Sequence, residues 1–209
     1  MTTVIRRGII ALVASMALVG CAGLGEAGSA ATVGDVQVST QTLASETAAI
    51  QVQRGGQSGA PDSALTLAVL QRLVITELVG QVAAAQGITV TQGEIDASIA
   101  EFEAQLGGAE ALQAAYLEAN VPAEAIKQQV TLSLQVRKLG AALAPDGDQN
   151  AQEQALVEFV TVYGQQEGIE VSPRFGTWDT TTLTVGPLPS DLSTTEQVAD
   201  PLAGVLPAP

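Results

Sequence analysis

Histidine is absent from all 209 residues, and cysteine occurs once, as Cys21. Without histidine there is no Ser-His-Asp or Cys-His catalytic pair, no imidazole-ligated zinc and no proton shuttle working near neutral pH. A single cysteine cannot close an internal disulfide. Aromatic residues make up only 3% of the chain, so the core has to be built from Leu, Val, Ile and Ala. Basic residues are scarce as well: 8 Lys and Arg face 22 Asp and Glu, a net charge of −14. The first twenty residues hold Arg6 and Arg7 and no acid, so the remainder carries −16. Phosphate backbones need the opposite sign, which speaks against nucleic acid as a partner.

Nor does the acidic excess assemble into chemistry. Glu94/Asp96 and Glu101/Glu103 are spaced i, i+2, and on a helix such side chains diverge instead of converging on one bond or ion. Asp146-Gly147-Asp148-Gln149-Asn150 has the look of a calcium-loop opening, yet its twelfth position is Val157 where a bidentate Glu is required. No nucleophile–base pair and no phosphate-cradling glycine loop is found. The expectation is therefore a non-enzyme with no catalytic residues, no metal and no cofactor.

What the chain does have begins at its start. Arg6 and Arg7 are followed by the run Ile9–Val19, eleven residues long and apolar but for Ser15. That is too short to cross a hydrocarbon core of about 30 Å as a helix, and it suits the apolar region of a secretory signal. The run ends in Leu18-Val19-Gly20-Cys21, which resembles the bacterial lipobox, with the only cysteine at the acylated position. Residues 1–20 read as a lipoprotein signal peptide and Cys21 as the lipidation site. The mature chain is then expected at the cell membrane, lipid-anchored on the extracytoplasmic face.

Small residues in 21–31 suit a flexible tether. Five of the nine prolines fall in 179–209, a stretch without a basic residue or a helical or strand period, which reads as a disordered tail. One body, 32–178, lies between them. In it Thr91-Gln92-Gly93-Glu94 has the form of a capping box, followed by Ile95, Ile99, Phe102 and Leu106 on one stripe and stopped by Gly107-Gly108. Pro61-Asp62 opens a longer helix to Gln86 that is apolar over most of its circumference, as a central buried helix is. Arg72 and Glu77 interrupt it, and no apolar run approaches the length of a membrane span. A short helix around Leu112 and Tyr116 ends at Asn120. Pro122 starts another, with Ile126, Val130 and Leu134 on one stripe and Leu132, Val136, Leu139 and Leu143 on the next, broken by Pro145-Asp146-Gly147. A last helix, about Ala151 to Gln166, offers Leu156, Phe159, Val160 and Tyr163. Two stretches alternate as strands do: Val33–Val38 and Ile169–Val171. Paired, they would clasp the two ends of the body together. The fold class is mainly α with a minimal β clasp.

This order of pieces resembles the N-terminal domain of SurA-type chaperones, related to trigger factor and the PrsA-like foldases. Val33-Gly34-Asp35-Val36-Gln37-Val38-Ser39 looks like the family's opening strand and turn into its first helix. Gly87-Ile88-Thr89-Val90-Thr91 with Glu94-Ile95 looks like its G-I-x-V-T/S-x-x-E-I motif, and Asn120 to Ile126 like the start of its next helix. Ser172-Pro173-Arg174-Phe175-Gly176-Thr177-Trp178-Asp179 is similar to the closing N-P-R-F/Y-G-x-W of lipoprotein members. SurA and PrsA also carry parvulin prolyl-isomerase domains with active-site histidines, for which this sequence has neither the histidine nor the length after the helical body. The resemblance thus implies the chaperone module alone: a lipid-anchored, non-catalytic holdase for unfolded segments of secreted or envelope proteins.

The alternative is an envelope scaffold or adaptor that holds one specific protein. Phe102, Tyr116, Phe159 and Tyr163 read as core. Phe175 and Trp178 follow the last element and are the candidates for client contact. Changing Cys21 to Ser should leave the precursor unacylated and release any processed protein from the membrane, read by detergent partitioning and intact mass.

Overall fold

The computed structural model describes residues 28–56 and 62–186. The signal-peptide reading, Cys21 and the tail beyond 186 lie outside the described residues. Six helices and five short strands are present among them: β1 (Ser29–Val33), β2 (Val36–Ser39), α1 (Thr40–Gln53), α2 (Ser63–Ala85), α3 (Gln92–Leu106), α4 (Ala109–Glu118), α5 (Ile126–Leu143), α6 (Gln149–Glu167), β3 (Ile169–Val171), β4 (Thr177–Asp179) and β5 (Thr184–Gly186). The mainly helical fold class is as expected.

Helix α2 is the centre of the domain. Its amide N-terminus is capped by the Asp62 carboxylate, which accepts from Ala64 N at 3.1 Å. Leu65, Val69, Leu70, Leu73, Val74, Leu78, Val79, Val82 and Ala83 are all buried, and full burial of each Leu or Val contributes about 1.5–3 kcal/mol. α2 is long and apolar enough to cross a bilayer by length and composition alone, but nine of its 23 residues are buried inside the protein. Helices α1, α5 and α6 and strands β1, β2 and β5 all pack on it.

Two cores result. The main one gathers the α2 residues with Val33, Val38, Leu43, Ile50, Leu132, Leu139, Leu156 and Val160. A satellite core of Ile95, Leu112, Val121, Ala125, Ile126, Val130 and Leu134 lies under α3 and α4. The two adjoining stripes on α5 have their explanation here: Leu132 and Leu139 face the main core, Ile126, Val130 and Leu134 the satellite one. Phe102 and Tyr116 pack on the satellite core, Phe159 and Tyr163 on the main one, as the sequence suggests. Leu106 departs from its stripe. It is 47% exposed, because Gly107 takes a left-handed conformation (φ 97°) directly after it and the chain turns away.

The clasp exists with a different strand in it. Val33–Val38 is expected as one strand against Ile169–Val171; the structure instead bends it into the hairpin β1–β2, with Val33 opposite Val36. Gly34 at φ 56° occupies the first central position of this two-residue turn, where a positive φ matches the strand twist. The strand that pairs with β3 is therefore β1, Ala31 opposite Val171 and Val33 opposite Ile169, and the sheet order is β2-β1-β3. Gly34 N donates to Gly168 O at 2.9 Å and Ser172 N to Ala30 O at 2.9 Å, closing both ends of the junction. The last three residues of the expected tether, 29–31, are therefore strand, because β1 is the middle strand of a sheet.

The boundary at 178 is corrected too. Residues 179–186 are not tail: β4 and β5 form an antiparallel hairpin with Trp178 opposite Val185. Its turn is tied by Asp179 Oδ1, which accepts from Thr181 N at 2.7 Å and Thr182 N at 3.2 Å; these bonds hold the Asp179 carboxyl below the usual range. Leu183 and Val185 pack on the main core.

The hairpin depends on a residue without a side chain just before it. Gly176 has φ 144°, and a Cβ there would sit 2.2 Å from Gly186 O, inside contact distance of the backbone. Gly176→Ala should cost about 1–3 kcal/mol of stability through this enforced strain, seen as a lower denaturation midpoint of Trp178 fluorescence.

Candidate functional site

An open groove of about 530 Å³ lies where the clasp meets the hairpin. One side is the sheet, with Ala31 and Thr32 of β1 and Ile169–Val171 of β3; the other is Thr177 and Trp178 of β4. Antiparallel pairing of β1 with β3 brings these segments, some 140 residues apart in sequence, to one surface. Among the described residues β3 bonds only β1, and β4, though it runs close to β3, bonds only β5, so the outer edge of β3 keeps its main-chain groups unpaired by a strand. An extended peptide laid in such a groove would meet apolar side chains and free main-chain groups together, the two ingredients of strand addition.

Of the two sequence candidates, the structure places Trp178 in the groove lining. Its ring packs on the main core, while its indole Nε1 is buried with no acceptor among the described residues. A buried indole N–H ordinarily has a partner. Phe175 does not line the groove. It packs against the main core, its backbone N donates to Ser172 O at 2.8 Å, and the Arg174 guanidinium carbon stands 4.6 Å from its ring centroid. Arg174 and Phe175 thus brace the turn that carries the chain from β3 to β4.

Sequence reasoning missed Thr32, Ile169 and Val171 as groove residues. Ile169 and Val171 were legible only as a strand, and which flank of a three-residue strand stays open is decided by the neighbours it is given. It also missed Gln71 on α2, whose side-chain amide accepts from Val185 N and donates to Leu183 O, fixing the hairpin that forms the groove's second wall. A glutamine on a long apolar helix carries no pattern that announces this.

A second depression, about 430 Å³, runs between α5 and α6, lined by Val136, Gly140 and Leu156 but also by Ser133, Arg137, Gln149, Gln152 and Glu153. Its polar lining makes it the poorer seat for an apolar segment. No group of three or more Cys, Asp or Glu side chains placed to hold a metal ion occurs among the described residues.

Three polar fastenings position the satellite lobe, the first being Gln53 at the end of α1, which donates to Glu124 Oε2 at 3.0 Å and accepts from Ala123 N at 3.1 Å. Arg54, at the end of α1, donates to Leu117 O at 2.7 Å and to Asn120 Oδ1 at 3.1 Å. Lys138 on α5 donates to Thr89 O at 2.7 Å and lies 2.6 Å from Glu94 Oε1. Glu94 also closes the expected capping box, accepting from Thr91 N at 2.8 Å while its own N donates to Thr91 Oγ1 at 3.3 Å. The Lys138 bond first, then the bonds from Thr91, hold its carboxyl down at about 2 from an ordinary 4.5. A depressed carboxyl contributes stability above its unfolded value and loses it as pH falls toward the folded one. Glu94→Gln should therefore be less stable than the native chain at neutral pH. That difference should shrink below pH 4.5 and vanish near pH 2, in urea titrations of helical circular dichroism.

The comparisons with known proteins agree with this architecture. A family model described as the SurA-like N-terminal domain matches residues 1–139, from the start of the sequence through most of α5. No curated protein and no solved structure matches the chain. Two-thirds of the sequence falls within the family match, and the mainly helical body with its small antiparallel sheets is what that family's fold calls for: the chain belongs to the SurA-like N-terminal domain family, a chaperone-like module.

Proposed function

We propose that this protein is a non-catalytic holdase, anchored by lipid on Cys21 at the extracytoplasmic face of the cell membrane, that binds extended apolar segments of unfolded secreted or envelope proteins. The observation that carries the reading is the groove at the clasp. It joins an unpaired strand edge, the apolar side chains of Ile169 and Val171, and Trp178 with an unpartnered indole donor. Main-chain bonding along a strand edge is indifferent to sequence, as a binder of many clients requires. Acyl chains contribute about 0.8 kcal/mol per buried CH₂, so a multiply acylated Cys21 would keep this groove at the membrane. The acidic charge keeps a surface with apolar openings soluble and repels acidic segments.

The prolyl-isomerase activity of the wider family has no place in this reading, because its active-site histidines have no counterpart in a chain without histidine.

The test is suppression of aggregation for several unrelated denatured proteins. The domain should protect all of them. Thr32→Arg should reduce protection several-fold at unchanged melting temperature, because Thr32 lines the groove and stands opposite Glu170, where an arginine gains a cross-strand partner. Protection of none, with tight binding to one folded envelope protein, would replace the holdase by an adaptor.

A further inference from the structure

The β4–β5 hairpin is held to the body in an unusual manner. The Gln71 side-chain amide bonds Leu183 O and Val185 N, the main-chain groups on either side of Thr184. This is how a strand residue bonds the peptides flanking its partner. Helix α2 therefore offers the hairpin an imitation of a strand edge, supplied by one side chain. The side chains of Leu183 and Val185 meanwhile pack on the main core. Nothing in this mode of contact depends on which residues are held, provided that the segment presents a carbonyl and an amide on either side of one residue, with apolar side chains flanking it.

Several features make the hairpin separable from the rest. Its two strands of three residues each form a sheet of their own, apart from β2-β1-β3. An isolated two-stranded hairpin is marginal in water, so the hairpin's order comes from its seat. Leu183 is held at φ 53°, a left-handed conformation that a branched residue adopts at a cost. Gly176 (φ 144°) stands at the junction with the body. The hairpin also supplies Thr177 and Trp178 to the groove, so its seat on α2 and the groove are one continuous surface.

We infer that the β4–β5 hairpin is a stand-in client: it occupies in cis the α2 surface around Gln71 that an extended apolar segment of an unfolded protein takes in trans. Resting on the holdase reading, the inference keeps the β3 edge of the groove, exchanges the groove's β4 wall for the α2 face beneath the hairpin, and gives that surface a built-in competitor. Binding then requires the hairpin to leave, and apparent affinity is reduced by the fraction of molecules in which it is seated.

The probe is oxidised insulin B chain, an unfolded apolar peptide without tryptophan, added to the full-length chain. Trp178 is the only tryptophan, so its emission should shift red as the B chain saturates. Hydrogen exchange should show the Val185 amide losing protection while Ala31 and Val33 keep theirs. Leu183→Ser combined with Val185→Ser, which removes the packing but leaves Gln71 in place, should bind the B chain about tenfold tighter, its fold verified by helical circular dichroism. Native protein that binds the B chain with Val185 still protected and Trp178 emission unchanged or blue-shifted would overturn the stand-in role and leave the holdase reading intact. A release variant that binds no tighter would do the same. Failure of the native chain and the variant alike to bind the B chain would overturn both.

Discussion

Burial of the apolar circumference of α2 is the constraint on which the rest of this structure depends. A helix with nine buried residues spread over more than one face cannot be satisfied by a single neighbour. It needs covering from several directions, and α1, α5, α6 and the β1–β2 hairpin supply it. Where this covering would run out, the β4–β5 hairpin is drawn in, which is why the chain stays ordered past the last helix. Burial also extends to Arg72, whose side chain is 10% exposed and whose guanidinium pairs with Glu46 of α1. Desolvation lowers its pKa, and the cost of taking two charges out of water offsets much of what such a buried pair gains.

The second organising device is the position of β1. As the middle strand it bonds β2, its neighbour in sequence, and β3, from beyond the last helix. The ends of the helical body are therefore joined through main-chain bonds, and the helices between them are closed into a loop. β3 is last in its sheet among the described residues, and the hairpin that follows runs close to it without bonding it, its β5 side tied to α2 through Gln71. The groove lies between the two.

The satellite lobe depends on different physics. Its core is small and the fastenings to the body are polar: Gln53 on Ala123 and Glu124, Arg54 on Leu117 and Asn120, Lys138 on Thr89 and Glu94. Of these, the Lys138–Glu94 pair weakens with salt and as Glu94 is protonated at low pH, whereas the apolar α2 core does not. The two halves of α5, one stripe in each core, are the rigid link between them.

Much of this was legible in advance for reasons that stay within a few residues. The Thr91–Glu94 capping box, the Asp62 cap and the stripes of α2, α3 and α5 are local patterns with a 3.6-residue period, and they survive folding unchanged. Helix α1 was hidden from the same reading because the middle of its buried stripe is Thr47, which satisfies its hydroxyl on Leu43 O at 2.7 Å and so is buried as a polar residue; only the family resemblance pointed to a helix there. The alternation in 33–38 marks β structure but not how many strands it makes, since a glycine in a six-residue run can be tolerated or can turn, and tertiary pairing decides which. Order in 179–186 left no trace in the sequence, because three-residue strands have no measurable period. Composition and local period determined the helical class, the caps and the exclusion of imidazole chemistry, all of which need only neighbours in the chain. Which strand closed the clasp, which edge remained open and which glutamine would bond a distant backbone were decided by tertiary structure, because each depends on groups more than a hundred residues apart meeting at one surface.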